Sequence, residues 1–215
     1  MATGSRVLGV ILAGGANRRY GSHKALARIA GRTILERTLD ALAPVVEQTV
    51  IVANEPEPYL AFGLAIRPDI RPDRGVLGGI LTAVHWAGEQ GREAALVLGC
   101  DMPFVPSSLL ARIAEEADPE GVTLPASEGR RGFEPLCAAY GTGTLDAIER
   151  ALARGERAVI SFFPTVPVRI LDFDIVSRFG DPARMFLNVN RPEDRQRAES
   201  LASGATGTTG RKGQP

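Results

Sequence analysis

Short, continuous apolar runs alternate with longer stretches whose apolar residues recur every three or four positions, and this alternation fills the first two-thirds of the chain. Residues 6–12, 49–53, 94–99 and 122–125 are runs of the first kind, with 64–67 a shorter one. Such runs read as strands covered on both faces. Between them, Ile34, Leu35, Leu39 and Leu42 lie near helical spacing, which predicts a helix over 33–42. Further helices are predicted over 79–90 and over 107–117, the latter with Pro106 in its first turn. Buried strands separated by amphipathic helices predict an α/β fold: a three-layer, doubly wound, mostly parallel sheet.

The pattern changes near Gly129. A strand over 133–140, a helix over 142–153 with Leu145, Ile148 and Leu152 on one face, and a strand over 166–171 predict an antiparallel excursion that walls a cleft. A C-terminal helix is expected over 192–201. Neither an internal repeat nor a Pro/Gly-rich linker interrupts residues 6–200, so residues 1–200 are expected to form a single domain. The remainder, 201–215, has almost nothing to bury and is expected to be a disordered tail.

Composition narrows the function. A chain of 215 residues is long enough for a full hydrophobic core. Its 25 Lys and Arg balance its 25 Asp and Glu, so no global field draws it to nucleic acid. Cations still cluster at Arg18-Arg19 and Arg130-Arg131, which suits a small anionic ligand better than a polymer. Cys100 and Cys137 lack metal-ligand spacing and sit in apolar runs, so buried free thiols in a reducing cytoplasm are expected. No signal-peptide pattern opens the chain, and no apolar run approaches the roughly 20 residues of a membrane span. With His23 and His85 as its only histidines, the chain has no His-rich metal centre, and no serine sits in a nucleophile elbow.

The chemistry concentrates in LAGGANRRYGSHK, residues 12–24. A strand runs into Gly14 and Gly15, whose missing Cβ lets amides approach a ligand closely, and successive amides in such a turn cup anionic oxygens. Arg18, Arg19 and Lys24 add cations to the same loop. The Walker pattern fails because Gly21 is followed by Ser22-His23-Lys24. The dinucleotide fingerprint fails because the glycines are adjacent and the second strand ends at Asn54 with no acid for a ribose. A polyphosphate cradle remains, set against an ordinary strand-to-helix turn.

Four other segments carry candidate residues. Asp101 follows the central run at 94–99, where an open α/β sheet binds ligands; it reads either as a Mg2+ ligand beside phosphates or as a turn aspartate held by amides. Asp69 precedes a glycine-rich helix entry at Gly78-Gly79, where backbone can pack on a flat ring and the acid can accept from amino or hydroxyl donors; a plain helix start is the alternative. Arg131 can meet a second anionic substrate or sit in a solvated turn. Asn188 and Asn190 share one side of an extended segment; they finish a metal or substrate site or, as the residues alone favour for Asn190, cap the helix that follows.

Together these segments resemble the molybdenum cofactor guanylyltransferases, the MobA-like nucleotidyltransferases. The likeness is carried by Leu12-Ala13-Gly14-Gly15, Arg18-Arg19, Gly21, Lys24, Gly31, Leu35 and Leu77-Gly78-Gly79-Ile80. It continues through Cys100-Asp101-Met102-Pro103, Glu134-Pro135-Leu136-Cys137-Ala138 and the segment from Phe186 to Asp194 that contains Asn188-Val189-Asn190. The resemblance implies a Rossmann-like nucleotidyltransferase fold and transfer of GMP from GTP to molybdopterin, with Mg2+ as cofactor and pyrophosphate as leaving group. It implies GTP contacts from Leu12, Ala13, Gly14, Gly15, Lys24, Asn54, Asp69, Gly78, Gly79 and Asp101, with Asp73 competing for the place of Asp69. Lys24, Arg18 and Asp101 would carry catalysis, Asp101 would hold the metal, and Asn188, Asn190 and Arg131 would lie on the molybdopterin side. It also implies transient contact with molybdoenzymes or their chaperones. A molybdopterin cytidylyltransferase, a sugar-phosphate nucleotidyltransferase and a non-catalytic nucleotide sensor are the alternatives. His23 replaces the family's Asp before the lysine, and Val76 replaces its Pro in the glycine turn.

Overall fold

The computed structural model describes residues 6–14 and 24–204. Gly15, Arg18, Arg19, His23 and all but the first few residues of the expected tail lie outside the described residues. In chain order the elements are β1 (Val7–Leu12), the short pair β2 (Arg28–Ile29) and β3 (Arg32–Thr33), α1 (Ile34–Leu42), β4 (Thr49–Val52), β5 (Ala65–Arg67) and α2 (Gly75–Glu89). There follow β6 (Ala94–Gly99), α3 (Ser107–Glu115), β7 (Val122–Pro125), β8 (Cys137–Gly141), α4 (Leu145–Ala153), β9 (Val168–Leu171), α5 (Phe173–Val176), α6 (Pro182–Met185) and α7 (Pro192–Ala202).

Seven strands form one sheet in the order β5-β4-β1-β6-β8-β7-β9. All neighbouring pairs are parallel except those made by β8, which runs antiparallel to both β6 and β7. That strand is the antiparallel excursion expected after Gly129. Side chains alternate across a strand, and β1 shows it: Val7 and Ile11 face one core, Leu8, Val10 and Leu12 the other. On the first face Leu35 and Leu42 of α1 pack with Leu109, Leu110 and Ile113 of α3. On the second, Leu77, Ile80 and Leu81 of α2 pack with Ile148 and Leu152 of α4. Helix, sheet and helix make the three layers.

Local signals explain most element ends. Thr33 accepts from the Glu36 amide at 3.1 Å while its own amide donates to the Glu36 carboxylate at 2.6 Å, a reciprocal capping box that starts α1. Pro106 stands at the N-cap of α3 rather than inside its first turn. Helix α2 begins at Gly75, four residues ahead of expectation, so Gly78 and Gly79 are helical and buried. The strand expected over 133–140 begins only at Cys137, because residues 133–136 turn around Pro135; Phe133 contributes one isolated bridge to Ala126. Residues 142–144 form a 3-10 turn ahead of α4, and α7 runs to Ala202, inside the segment expected to be disordered.

A third, small core lies off the main sheet: Ile29, Ile34, Leu187, Val189 and Ala198. It joins the β2–β3 hairpin to α7 and to the extended segment before it. The hairpin turn holds Ala30 at φ 47° and Gly31 at φ 80°, the two positive φ values a tight hairpin requires. Glu199 of α7 accepts from the Ala30 amide at 2.7 Å, and Arg195 donates to the Arg28 carbonyl at 3.1 Å. This clamp fixes where residues 188–190 run. Among the described residues no helix is long and apolar enough to cross a membrane.

Candidate active site

After β1 the chain crosses to β4 on one side, then returns to β6 on the other, so the sheet order reverses at β1. Ligands of open α/β sheets bind beyond the carboxyl ends of strands at such a reversal. Leu12 lies in register beside Val52 and Gly99. Its carbonyl accepts from the Cys100 amide at 3.1 Å, the Ala13 amide donates to Val52 at 2.9 Å, and the Ala13 carbonyl accepts from the Tyr59 hydroxyl at 3.3 Å. The backbone of Leu12 and Ala13 is thus committed to the protein, and the loop first becomes exposed at Gly14.

Three distant segments meet next to it. The Lys24 ammonium donates to Oδ2 of Asp101 at 2.9 Å and also to Oδ1 of Asn190. The side chains of Lys24 and Asp101 keep only 16% and 17% of their exposure, so this is not an idle surface pair. A Cβ on Gly99 would come within 2.8 Å of Asp101 Oδ1, so the tight turn after β6 depends on that glycine. The Val189 amide donates to the Asp101 carbonyl at 2.9 Å, which ties the extended segment to the end of β6. Asn190 does not cap α7 with its side chain. Asp194 performs the capping, accepting from the amides of Asn190 and Arg191 at 2.8 Å each, and leaves the Asn190 side chain to reach Lys24. Asn188, by contrast, donates to the Phe186 carbonyl at 3.1 Å and stays apart from the trio.

A second group lies toward β5. Asn54 donates to Oδ2 of Asp69 at 2.9 Å, and the Asp69 amide donates back to Oδ1 of Asn54 at 2.8 Å. Burial holds the Asp69 carboxyl above the usual aspartate range, opposed by the bond from Asn54. The Thr82 hydroxyl accepts from the Ile70 amide at 3.0 Å and donates to the Gly78 carbonyl at 3.0 Å, pinning the loop to α2. Gly79 faces Leu12 at 3.4 Å and Asp69 Oδ1 at 3.7 Å from the point a Cβ would occupy. Gly78 serves the protein itself, since a Cβ there would meet Arg74 at 2.8 Å. Asp73 is exposed and has φ 60°, apart from this group.

Sequence reading passed over Glu134 as a site residue. Because β8 runs antiparallel, its first residues lie beside the end of β6: Leu98 pairs with Cys137, and the Gly99 amide donates to Leu136 at 2.8 Å. Burial, and secondarily the Asp101 charge, raise the Glu134 carboxyl above the usual glutamate range; the Leu136 amide and Arg131 act the other way. The signal was present as Glu134-Pro135-Leu136, but its neighbour could be named only once the pairing of β8 with β6 was known. Arg131 is exposed and lines a hollow of about 560 Å3 with Gly129, Arg130, Phe133, Glu134 and Pro135.

Both cysteines are free thiols; Cys137 is buried, whereas Cys100 keeps partial exposure beside the site. Burial, aided by the Asp101 charge, pushes the Cys100 thiol up to about 12, so it stays protonated and unreactive. Among the described residues no three His, Cys, Asp or Glu side chains gather as a metal cage. Asp101 fits instead an ion that takes one or two carboxylates and draws its other ligands from phosphate and water, as Mg2+ does.

A family model described as the MobA-like NTP transferase domain matches residues 9–167. The chain belongs to this family. The matched span contains the glycine loop, Lys24, Asp69, Asp101 and Glu134, and it stops before the Asn190 segment. Among curated relatives, a molybdenum cofactor guanylyltransferase of Cereibacter sphaeroides is 35% identical, over 91% of this chain and 97% of that protein. One from Desulfosudis oleivorans is 32% identical, over 90% and 95%. A solved structure of molybdopterin-guanine dinucleotide biosynthesis protein A from Archaeoglobus fulgidus superposes with a TM-score of 0.75 at 26% identity, covering 91% of this chain and 98% of that one. The MobA-like chain is accordingly a nucleotidyltransferase with the Rossmann-like fold of these enzymes.

Proposed function

We propose that the chain transfers GMP from GTP to molybdopterin, releasing pyrophosphate and forming the guanine dinucleotide. The observation that carries this reading is the junction of Lys24, Asp101 and Asn190 at the sheet reversal. It brings Lys24, the end of β6 and the segment before α7 to one point, as a reaction joining two substrates requires.

The nucleotide would lie over the ends of β1, β4 and β5. Gly14 and Gly15 would lead the loop around the triphosphate, while Leu12 and Ala13 anchor its base. Asp69, oriented by Asn54, would accept from the amino and ring N–H of guanine, with Gly79 leaving space for the base. Lys24 would exchange its present partners for phosphate oxygens, and Arg18 would join it on the departing pyrophosphate. Asp101 would hold Mg2+, which supplies charge neutralisation at the α-phosphate when bound.

Molybdopterin would approach from the side of Asn190 and Arg131. Its terminal phosphate has a second pKa of about 6, so near neutral pH it already attacks as an anion and needs no protein base. Alignment and charge stabilisation then supply the rate.

The test is to incubate the protein with molybdopterin, Mg2+ and each nucleoside triphosphate in turn and follow pyrophosphate release. GTP is expected to support release and CTP not. Use of CTP in place of GTP, or of a sugar phosphate in place of molybdopterin, would refute the assignment.

A further inference from the structure

Across the rim of the sheet the loops stand in a fixed order: Asp69 after β5, Asn54 after β4, Gly14 after β1, Asp101 after β6, and Glu134 just before β8. Strands lie about 4.8 Å apart, so Glu134 is one strand beyond Asp101, and Asp69 three strands away on the opposite side. A nucleotide reaching from Asp69 to Asp101 leaves the Glu134 side uncovered.

That side carries charge of both signs that is not locked into ion pairs, although the Arg131 charge reaches the Glu134 carboxyl. Among the described residues, Arg130, Arg131 and Glu134 form no ion pair. Among the described residues the Glu134 carboxylate accepts one hydrogen bond, a long one of 3.4 Å from the Leu136 amide to Oε1. The hollow of about 560 Å3 is open and contains one aromatic ring, Phe133, set against Phe163 with centroids 6.0 Å apart. Its ligand must therefore present hydrogen-bond donors to an acid, negative charge to arginines, and a surface that tolerates an aromatic neighbour.

A 2-amino-pyrimidinone edge meets the first requirement. Its amino group and adjacent ring N–H form a two-pronged donor that matches the two oxygens of a carboxylate, as a guanidinium does. Guanine and pterin both carry this edge, and the sheet rim holds two half-buried acids, Asp69 and Glu134, one on each side of Asp101. We propose that the hollow seats the pterin end of the second substrate, with Glu134 accepting from its 2-amino edge and Arg131 facing its anionic groups. This rests on molybdopterin being the acceptor.

Pterin-6-carboxylate, which is fluorescent, serves as the probe, titrated into the wild-type chain, Glu134→Gln and Arg131→Ala, with GTP titrated in parallel. Glu134→Gln is expected to weaken pterin binding roughly tenfold or more, while GTP affinity stays within about twofold. Arg131→Ala, at an exposed position that folding does not need, is expected to weaken the pterin and spare GTP. With molybdopterin as substrate, Glu134→Gln is expected to raise its KM while kcat is largely kept. Pterin bound equally by wild type and Glu134→Gln, no pterin binding by the wild type, or equal loss of GTP and pterin would each overturn the placement. Failure of the acceptor assignment reads differently: the wild type would then make no product from molybdopterin with any nucleoside triphosphate.

Discussion

Asp69 and Glu134 are both half-buried acids raised by burial, yet the protein holds them in different ways. Asp69 is gripped by Asn54 through two bonds of 2.9 and 2.8 Å, and its loop is pinned to α2 through Thr82. Glu134 has one long contact to its own chain and a hollow in front of it. The first arrangement fixes a carboxylate before the ligand arrives, which lowers the ordering cost of binding. The second leaves the carboxylate for a ligand to organise. On the proposed placement, the nucleotide side would be preformed and the acceptor side would be organised by its ligand. Lys24 and Asp101 stand between them, paired with each other, and Lys24 also donates to Asn190.

The largest effect is expected at that middle point, where neither side alone is responsible. Asp101→Asn should lower kcat roughly 10²–10³-fold, the scale of losing one oriented electrostatic group at a reacting centre. Its thermal midpoint should change far less than its activity, because Asn keeps the shape of Asp and its side-chain oxygen can still accept from the Lys24 ammonium. Pyrophosphate release and thermal melting measure the two quantities. Equal activity in Asp101→Asn and wild type would remove Asp101 from the chemistry and leave the two sides with no shared centre.

Much of this arrangement is legible in the sequence, and the exceptions have physical causes. The buried strands and the Thr33–Glu36 capping box depend on neighbours in the chain, so periodicity and short-range signals identify them. Lys24 and Asp101 stand out because glycine turns after buried strands mark the rim of the sheet. The partner of Lys24 at Asn190 lies 166 residues away, and that contact exists only because the small core of Ile29, Ile34, Leu187 and Val189 brings residues 188–190 back. Glu134 needed the pairing of β8 with β6, a long-range contact that no local pattern encodes. The short α5 and α6 escaped for another reason: four residues are too few to show a helical period.

A smaller effect separates the two sides. Asp69→Asn should raise the KM for GTP about tenfold and leave pterin-6-carboxylate binding unchanged, the mirror of Glu134→Gln. The wild type should also lose GTP affinity as pH falls, starting above the ordinary aspartate range, because the donor edge of guanine needs the ionised acid and burial raises its pKa. Asp69→Asn should flatten that dependence in a titration across pH. In the free protein the sign reverses. A folded pKa above the unfolded value means that ionising Asp69 subtracts stability as pH rises through that window, so the Asn variant should lose less stability over the same range.

The smallest effect bears most directly on the difference in how the acids are held. Asn54 is exposed and belongs to neither core; its two bonds to Asp69 orient a carboxylate that already faces Gly79. Asn54→Ala removes the grip and leaves the acid, which makes the nucleotide side resemble the acceptor side. The loss of preorganisation should raise the KM for GTP by roughly twofold to tenfold, the range of a net hydrogen-bond contribution of about 0.5–1.5 kcal/mol. It should also lift the Asp69 pKa further, because the Asn54 bond is what opposes burial, and so move the loss of GTP affinity to higher pH. Pterin binding should not respond. If Asn54→Ala binds GTP as the wild type does, with an unmoved pH dependence, then the two bonds do not prepare the site, and the two acids differ only in what they bind.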